Sequence, residues 1–227
     1  MDKCLGFGGI GDCFIVMLKL LELKRPYIYT HIDVSENRLS SSIELLNKFN
    51  IPNKGVVVDD IRRWWHVNSH MFDKCFNVFA RGRITIPPRP YHWQPCIDNG
   101  YGNPFCSWVD IDKEDKVVVQ VASGGKRSYK EKPIVEYVTA HFKHDNIIWV
   151  GVDKEFTSDV GTNMVGSLTL SKVLDIVSKC KYFVGFPSVL FYYALWFKTE
   201  CSLFTDHQGK DDLRIHEEWK KYITYDK

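Results

Sequence analysis

The chain has 227 residues and a formal net charge of +2, with 44% apolar, 26% charged and 14% aromatic residues. That balance excludes a disordered or fibrous protein, and the length suits one large or two small α/β domains. No apolar run reaches the roughly 18 residues of a membrane span, and Met1-Asp2-Lys3-Cys4 does not open a signal segment, so a cytoplasmic location is expected.

The opening stretch joins a short apolar lead-in (Cys4, Leu5) to the turn Gly6-Phe7-Gly8-Gly9-Ile10-Gly11-Asp12 and an apolar run over residues 14–23. This reads as strand, glycine loop and helix. Glycines at such a turn reach positive φ and let the backbone approach a ligand. The helix behind them aims unpaired N–H groups and its positive dipole end into the loop. Gly6, Gly8 and Gly11 satisfy the spacing G-x-G-x-x-G of a dinucleotide fingerprint, and Asp33 stands where that fingerprint wants its ribose-binding acid. Asp12 argues against this reading, because a carboxylate at the helix start repels a pyrophosphate placed there. Asp12 can also be a helix cap, accepting N–H bonds from the first turn. A carboxylate can do both: cap a helix and face a cleft.

Further along, residues 27–33 form a β-rich run and residues 36–49 read as a helix with Leu39, Ile43 and Leu46 along one side. Residues 55–58 read as a short strand of the buried type. Asp59 or Asp60 then caps a helix running through Trp64, Trp65 and Phe72. Residues 75–80 suggest another strand. The stretch 86–104 holds Pro87, Pro88, Pro90, Pro95, Gly100, Gly102 and Pro104, which predicts a long loop or junction without regular structure.

A domain boundary is expected near Asp110, giving domains 1–110 and 111–227. The second half restarts with residues 116–122 (KVVVQVA), a continuous apolar strand of the kind buried on both faces of a parallel sheet. Ser123-Gly124-Gly125-Lys126-Arg127 then turns into a helix over residues 132–142, with Pro133 tolerated in its first turn. Strands follow at 146–152 and 164–166. A helix over 168–180 carries Leu170, Val173, Leu174 and Val177 on one face. A strand at 181–185, an apolar helix opened by Phe186-Pro187-Ser188, a last strand at 200–204 and a terminal helix at 217–222 complete the pattern. The alternation predicts an α/β fold of two Rossmann-like, doubly wound parallel-sheet domains facing a cleft.

Seven cysteines (Cys4, Cys13, Cys75, Cys96, Cys106, Cys180 and Cys201) are scattered without any C-x-x-C pair, as suits free thiols in a reducing cytosol. His92, Cys96 and Cys106 match no common zinc spacing, and buried thiols with a loop histidine are the expectation. No metal site is predicted.

The order of these motifs resembles the ADP-heptose:lipopolysaccharide heptosyltransferases, whose fold is the two-domain GT-B arrangement. Gly9-Ile10-Gly11-Asp12 matches their opening G-x-G-D turn, VVVQVASGGKRS their strand and basic small-residue turn, and GSLTLSKVLDIVSKCKYFVG their segment before the nucleotide-sugar loop. The likeness spans the first strand-turn-helix and most of the second half. It implies Asp12 as the catalytic base, residues 1–110 as the acceptor domain and residues 111–227 as the nucleotide-sugar domain. Where the family has Asp-Ser-Gly and a histidine entering the helix, this chain has Phe186-Pro187-Ser188-Val189. Only Ser188 carries over, as a phosphate contact, and the sugar and nucleotide stay open.

Glycosyl transfer needs a base for the acceptor hydroxyl and positive groups for the departing diphosphate. Asp12 is the expected base, with Asp98 and the Asp59/Asp60 pair as lesser alternatives. Gly11, Ser123, Gly124, Gly125, Lys126, Arg127, Lys130 and Ser188 are the expected donor-binding residues, acting through backbone N–H groups and cationic side chains. No D-x-D-type pair suited to a divalent cation is seen, so a metal-independent, inverting transferase is expected, with a nucleotide-diphosphate sugar as co-substrate and no bound cofactor.

The excess positive charge lies in the first half, where basic and aromatic side chains mix: Arg62, Arg63, Trp64, Trp65, His66, then Arg81, Arg83, Arg89, Tyr91, His92 and Trp93. Arg62, Trp65, Arg81, Arg83, Arg89 and Trp93 are the expected acceptor contacts, since arginines pair with phosphates and indoles stack on sugars or bases. The partner is then an anionic glycan or a nucleic acid, such as a modified viral DNA base. Trp64 and Trp65 read equally well as core residues of a helix with a solvated arginine face. Two alternatives remain: an NAD(P)-dependent Rossmann oxidoreductase, lacking any convincing Tyr/Lys or Cys/His pair, and a catalytically silent nucleotide-sugar-binding module.

Overall fold

A computed structural model describes residues 1–22, 25–77, 93–95, 111–121, 131–152, 156–205 and 217–226, and the chain divides into two units, Met1–Ser107 and Trp108–Lys227. The first unit runs β1 (Asp2–Phe7), α1 (Ile10–Glu22), β2 (Tyr27–Asp33), α2 (Glu36–Lys48), β3 (Asn53–Val57), α3 (Ile61–Asn68), β4 (Lys74–Asn77) and β5 (Trp93–Pro95). Its sheet has the order β3-β2-β1-β4-β5, and every strand pair in it is parallel. Cys13, Phe14, Ile15, Val16, Met17 and Leu18 of α1 are all buried. A helix apolar on every side is an enclosed helix, which is why this run carries no polar stripe. Leu5, Phe7, Ile32, Trp65, Phe72 and Cys75 form one core cluster of the unit.

Four expectations for this unit are corrected. β1 is longer than its apolar lead-in suggested, because Gly6 and Phe7 continue the ladder opposite His31 and Ile32. β3 is an edge strand and mostly exposed, with Val57 45% accessible, so its valine run does not mark a buried strand. α3 stops at Asn68, and a 3-10 turn over Ser69–Met71 separates it from Phe72. The proline-rich stretch contains strand β5, paired with Cys75, Phe76 and Asn77. Its place at the sheet edge accommodates Pro95, whose missing N–H breaks no interior ladder.

The second unit runs β6 (Glu114–Gln120), α4 (Glu131–His141), β7 (Ile147–Val150), β8 (Thr162–Asn163), α5 (Leu170–Lys179), β9 (Cys180–Gly185), α6 (Val189–Trp196), β10 (Glu200–Phe204) and β11 (Ile223–Asp226). Its order is β11-β10-β9-β6-β7-β8, again parallel throughout. Valines and aromatics of β6, β7 and β9 pack with Ile134 and Val138 of α4 and with Phe156, Phe186 and Phe204. Two expectations shift here. β8 lies at Thr162–Asn163, ahead of the Met164-Val165-Gly166 run, and the predicted terminal helix is a 3-10 turn (Glu217–Tyr222) that leads into a further strand, β11.

Counted within each unit, both sheets follow the doubly wound order 3-2-1-4-5, extended to a sixth strand in the second. In such a sheet the connections reverse direction between the first and fourth strands, leaving a crevice at the carboxyl ends there. Those ends are Phe7 and Asn77 in the first unit, and Gln120 and Gly185 in the second.

Candidate functional site

In the first unit the switch point opens onto the glycine turn. Gly8 has φ of +121°, a conformation that side chains resist, and a Cβ there would stand 2.7 Å from Asp12 Oδ2. Gly9 is the N-cap of α1, since its carbonyl accepts the first helical bond from Cys13 N–H at 2.9 Å. Asp12 therefore occupies the third helical position, and its Oδ2 accepts the Gly9 N–H at 3.0 Å. This is the back-reaching half of a capping box, in which the side chain bonds the N-cap backbone N–H instead of a donor inside the first turn. The carboxylate is half-buried at the carboxyl end of β1, where the helix dipole also favours its negative charge. Gly11 lies one residue before it in the same turn.

Behind the turn stands a histidine that sequence reasoning passed over. His31 is fully buried on β2, with Nε2 3.1 Å from the Gly8 carbonyl and Nδ1 2.9 Å from Tyr29 Oη. Gly6 is its register partner on β1, and a Cβ on Gly6 would overlap the Tyr29 hydroxyl. The first two glycines are thus explained by this chain's own packing. A polar residue inside a β-rich run (YIYTHID) was the signal available in the sequence.

Burial pushes the His31 imidazole down from its ordinary 6.5 to about 4, against the opposing pulls of the Gly8 carbonyl and of Asp33. The folded state thus keeps this ring neutral while the unfolded chain still takes up a proton near pH 6.5. Its contribution to stability is complete above that pH and is lost as pH falls toward 4, on the order of 3 kcal/mol over the window. Denaturant unfolding of wild type and His31→Gln between about pH 7 and pH 4 is expected to show a smaller acid loss in the variant. Equal slopes would refute it.

Asp33, the acid the dinucleotide spacing singled out, is buried, and its Oδ1 accepts from Ser35 N–H at 3.0 Å and pairs with Arg38 Nη2 at 2.9 Å. Asp60 is the N-cap of α3, accepting from the N–H groups of Arg62 and Arg63 at 2.8 and 3.1 Å, which gives it a structural task. Asp59 is exposed beside it. Asp98 lies outside the described residues.

Of the predicted acceptor set, Arg62 and Trp65 are among the described residues, and they differ in exposure. Trp65 is a correction: it is 2% exposed, with its ring 4.8 Å from that of Phe7 in an edge-on contact, and no acceptor reaches it. Arg62 and Arg63 are both exposed, Arg63 because it lies about 200° around the helix from Trp65. Trp93 contributes backbone to β5. Its side chain and Arg81, Arg83 and Arg89 lie outside the described residues.

In the second unit the carboxyl end of β6 carries Gln120, 4% exposed, whose Oε1 accepts a 2.6 Å hydrogen bond from Ser188 Oγ. Ser188 is the N-cap of α6, and the same Oγ accepts from Phe191 N–H at 3.4 Å. Ser188, the expected phosphate contact, donates its hydroxyl to Gln120 and so ties the segment after β9 to the end of β6. Gln120 was missed, although it is the polar interruption of an otherwise apolar run. Ser123, Gly124, Gly125, Lys126, Arg127 and Lys130 lie outside the described residues, in the connection that leaves the same end of β6.

Cys4, Cys13, Cys75, Cys180 and Cys201 are buried free thiols. Burial pushes Cys4 up to about 11 and Cys75 and Cys180 up to about 12, which keeps them protonated and poor nucleophiles. His92, Cys96 and Cys106 are outside the described residues. One D-x-D spacing exists, Asp110-Ile111-Asp112, but Asp112 is exposed just ahead of the amino end of β6, away from the switch point. No helix among the described residues is long and apolar enough to cross a membrane.

No protein-family model and no curated protein matches the chain. Solved structures do. E. coli ADP-heptose LPS heptosyltransferase II is 10% identical with a TM-score of 0.52, covering 100% of this chain and 90% of that one. The dodecameric iron-containing heptosyltransferase TibC, in complex with ADP-D-β-D-heptose, is 13% identical with a TM-score of 0.56. All of this chain aligns with it but only 63% of TibC's length is covered. S. aureus MnaA, in a co-structure with UDP, is 12% identical with a TM-score of 0.53, over 91% of this chain and 80% of that one. The fold is that of the GT-B glycosyltransferases. At these identities the likeness concerns architecture, and the tandem of parallel sheets in the doubly wound order is what the chain shares with these proteins.

Proposed function

We propose that the chain is an inverting, metal-independent glycosyltransferase that moves a sugar from a nucleotide-diphosphate sugar to an acceptor hydroxyl, with Asp12 as general base. The observation that carries this reading is the Asp12 carboxylate, half-buried at the switch point of the first sheet and oriented by the Gly9 N–H. A carboxylate there can take a proton as the hydroxyl attacks the anomeric carbon. Direct displacement with a single base inverts that carbon. Residues 123–127, Lys130 and the α6 N-terminus beyond Ser188 would hold the departing diphosphate through backbone N–H groups and cations. The acceptor is anionic, a phosphorylated glycan or a nucleic acid, a reading supported by the exposed Arg62 and Arg63 and by the arginine-rich stretch that follows.

A nicotinamide-dependent oxidoreductase would place its pyrophosphate at the mouth of α1, where the Asp12 charge opposes it. A melting-temperature panel with ADP, UDP, NAD and NADP separates the readings, since a ligand of the folded state stabilises by mass action. Millimolar ADP or UDP is expected to raise the midpoint and NAD to leave it unchanged. NAD as the sole stabiliser would overturn the proposal. Binding of ADP or UDP with no transfer or hydrolysis of the matching sugar would leave a silent binding module.

A further inference from the structure

The hydrogen bonds behind the glycine turn have a fixed direction. A carbonyl only accepts, so His31 carries its hydrogen on Nε2 and donates it to Gly8. The neutral ring then presents a lone pair at Nδ1, and Tyr29 Oη donates to it. The Gly8 carbonyl and the Gly9 N–H belong to one planar peptide unit, so fixing the oxygen fixes the direction of the N–H. That N–H is the donor to Asp12 Oδ2. The plane lies between two glycines, whose own φ and ψ leave it free to rotate. The imidazole pins one side of it, and the carboxylate meets the other.

We propose that His31, backed by Tyr29, is a positioning residue for Asp12: it sets the Gly8–Gly9 peptide plane and through it orients and stabilises the carboxylate. This rests on Asp12 being the base of the transfer. The glycines fit the same task, Gly6 by making room for the Tyr29 hydroxyl and Gly8 by leaving the Asp12 carboxylate its place. Polarisation passes along the row, since each bond strengthens the next donor in a chain of hydroxyl, imidazole, amide and carboxylate.

The test combines a spectroscopic reading with kinetics on wild type, Tyr29→Phe, His31→Gln, His31→Ala and Asp12→Asn. The Gly9 amide proton in the NMR spectrum reports its bond to Asp12, and release of nucleoside diphosphate from ADP-glucose or UDP-glucose reports turnover. His31→Ala is expected to shift the Gly9 proton upfield and to lower kcat about tenfold with donor KM unchanged. Tyr29→Phe should do the same about threefold. His31→Gln, whose amide can donate to Gly8 and accept from Tyr29, should restore most of both readings. If His31→Ala does not fold, Tyr29→Phe and His31→Gln carry the test. Folded variants with an unmoved Gly9 proton and wild-type kcat would overturn the positioning role. Full turnover in Asp12→Asn would instead remove the base, while the Gly9 reading still tests the link from His31.

Discussion

Asp12→Asn is expected to cut sugar transfer by roughly 10²- to 10⁴-fold, the usual share of a general base, while leaving nucleotide binding as it is. The amide is the right control for geometric reasons. Its oxygen can still accept the Gly9 N–H that Asp12 accepts at 3.0 Å, so the turn and the first turn of α1 should keep their form. Only the charge and the proton affinity are removed. Turnover is measured as nucleoside diphosphate release from the sugar nucleotide whose nucleotide stabilises the protein, and binding as the melting shift. Loss of turnover with an unchanged shift assigns Asp12 to the chemistry. Loss of both would make it a binding residue, and full turnover would leave it a helix cap.

Trp65→Ala is expected to destabilise the protein by about 3–5 kcal/mol, as for other large core truncations. The indole is 2% exposed and meets Phe7 edge-on, within the cluster of Leu5, Ile32, Phe72 and Cys75. Emptying that volume leaves a cavity that β1 and β4 cannot close without breaking their ladder. Chemical denaturation followed by far-UV circular dichroism measures the loss, and Trp65→Phe should recover part of it. A change below 1 kcal/mol with weakened acceptor binding would put the indole back on the surface. The same residue shows how sequence reading divides. Both consecutive tryptophans pack on the core cluster, Trp65 fully buried against Phe7 and Trp64 partly buried beside Phe72, and only the positions of Phe7 and Phe72, fixed by other elements, set that division.

The strands and helices were legible wherever burial on both faces writes a continuous apolar run, as in β6, or a helical stripe, as in α5. Residues 27–33 carry β2 from end to end because their aromatic and β-branched side chains favour a strand, not because the run is apolar throughout. Edge and centre were not legible, because Val56 and Val57 of β3 look as apolar as the valines of β6 while only topology leaves them at the rim. The candidate site was legible as a place and not as a mechanism of support. A glycine turn before an apolar helix marks the mouth, and Asp12 stands out in it. His31 and Tyr29 come from the next strand, and their link to Asp12 passes through a backbone peptide that no residue pattern encodes. Gln120 and Ser188 meet across 68 positions of sequence, at the point where two strands of the second sheet diverge.

Helix α6 has no polar side: Leu190 through Trp196 are all buried, and Trp219 from the 3-10 turn lies near Tyr192, their ring centres 6.4 Å apart. Trp219 is translated some twenty residues after the helix it touches. α5, β9 and β10 cover most of this helix, and the part facing Trp219 stays open on the nascent chain until residues 217–226 have emerged. Nascent chains paused before that point are the form in which this protein is most prone to clump.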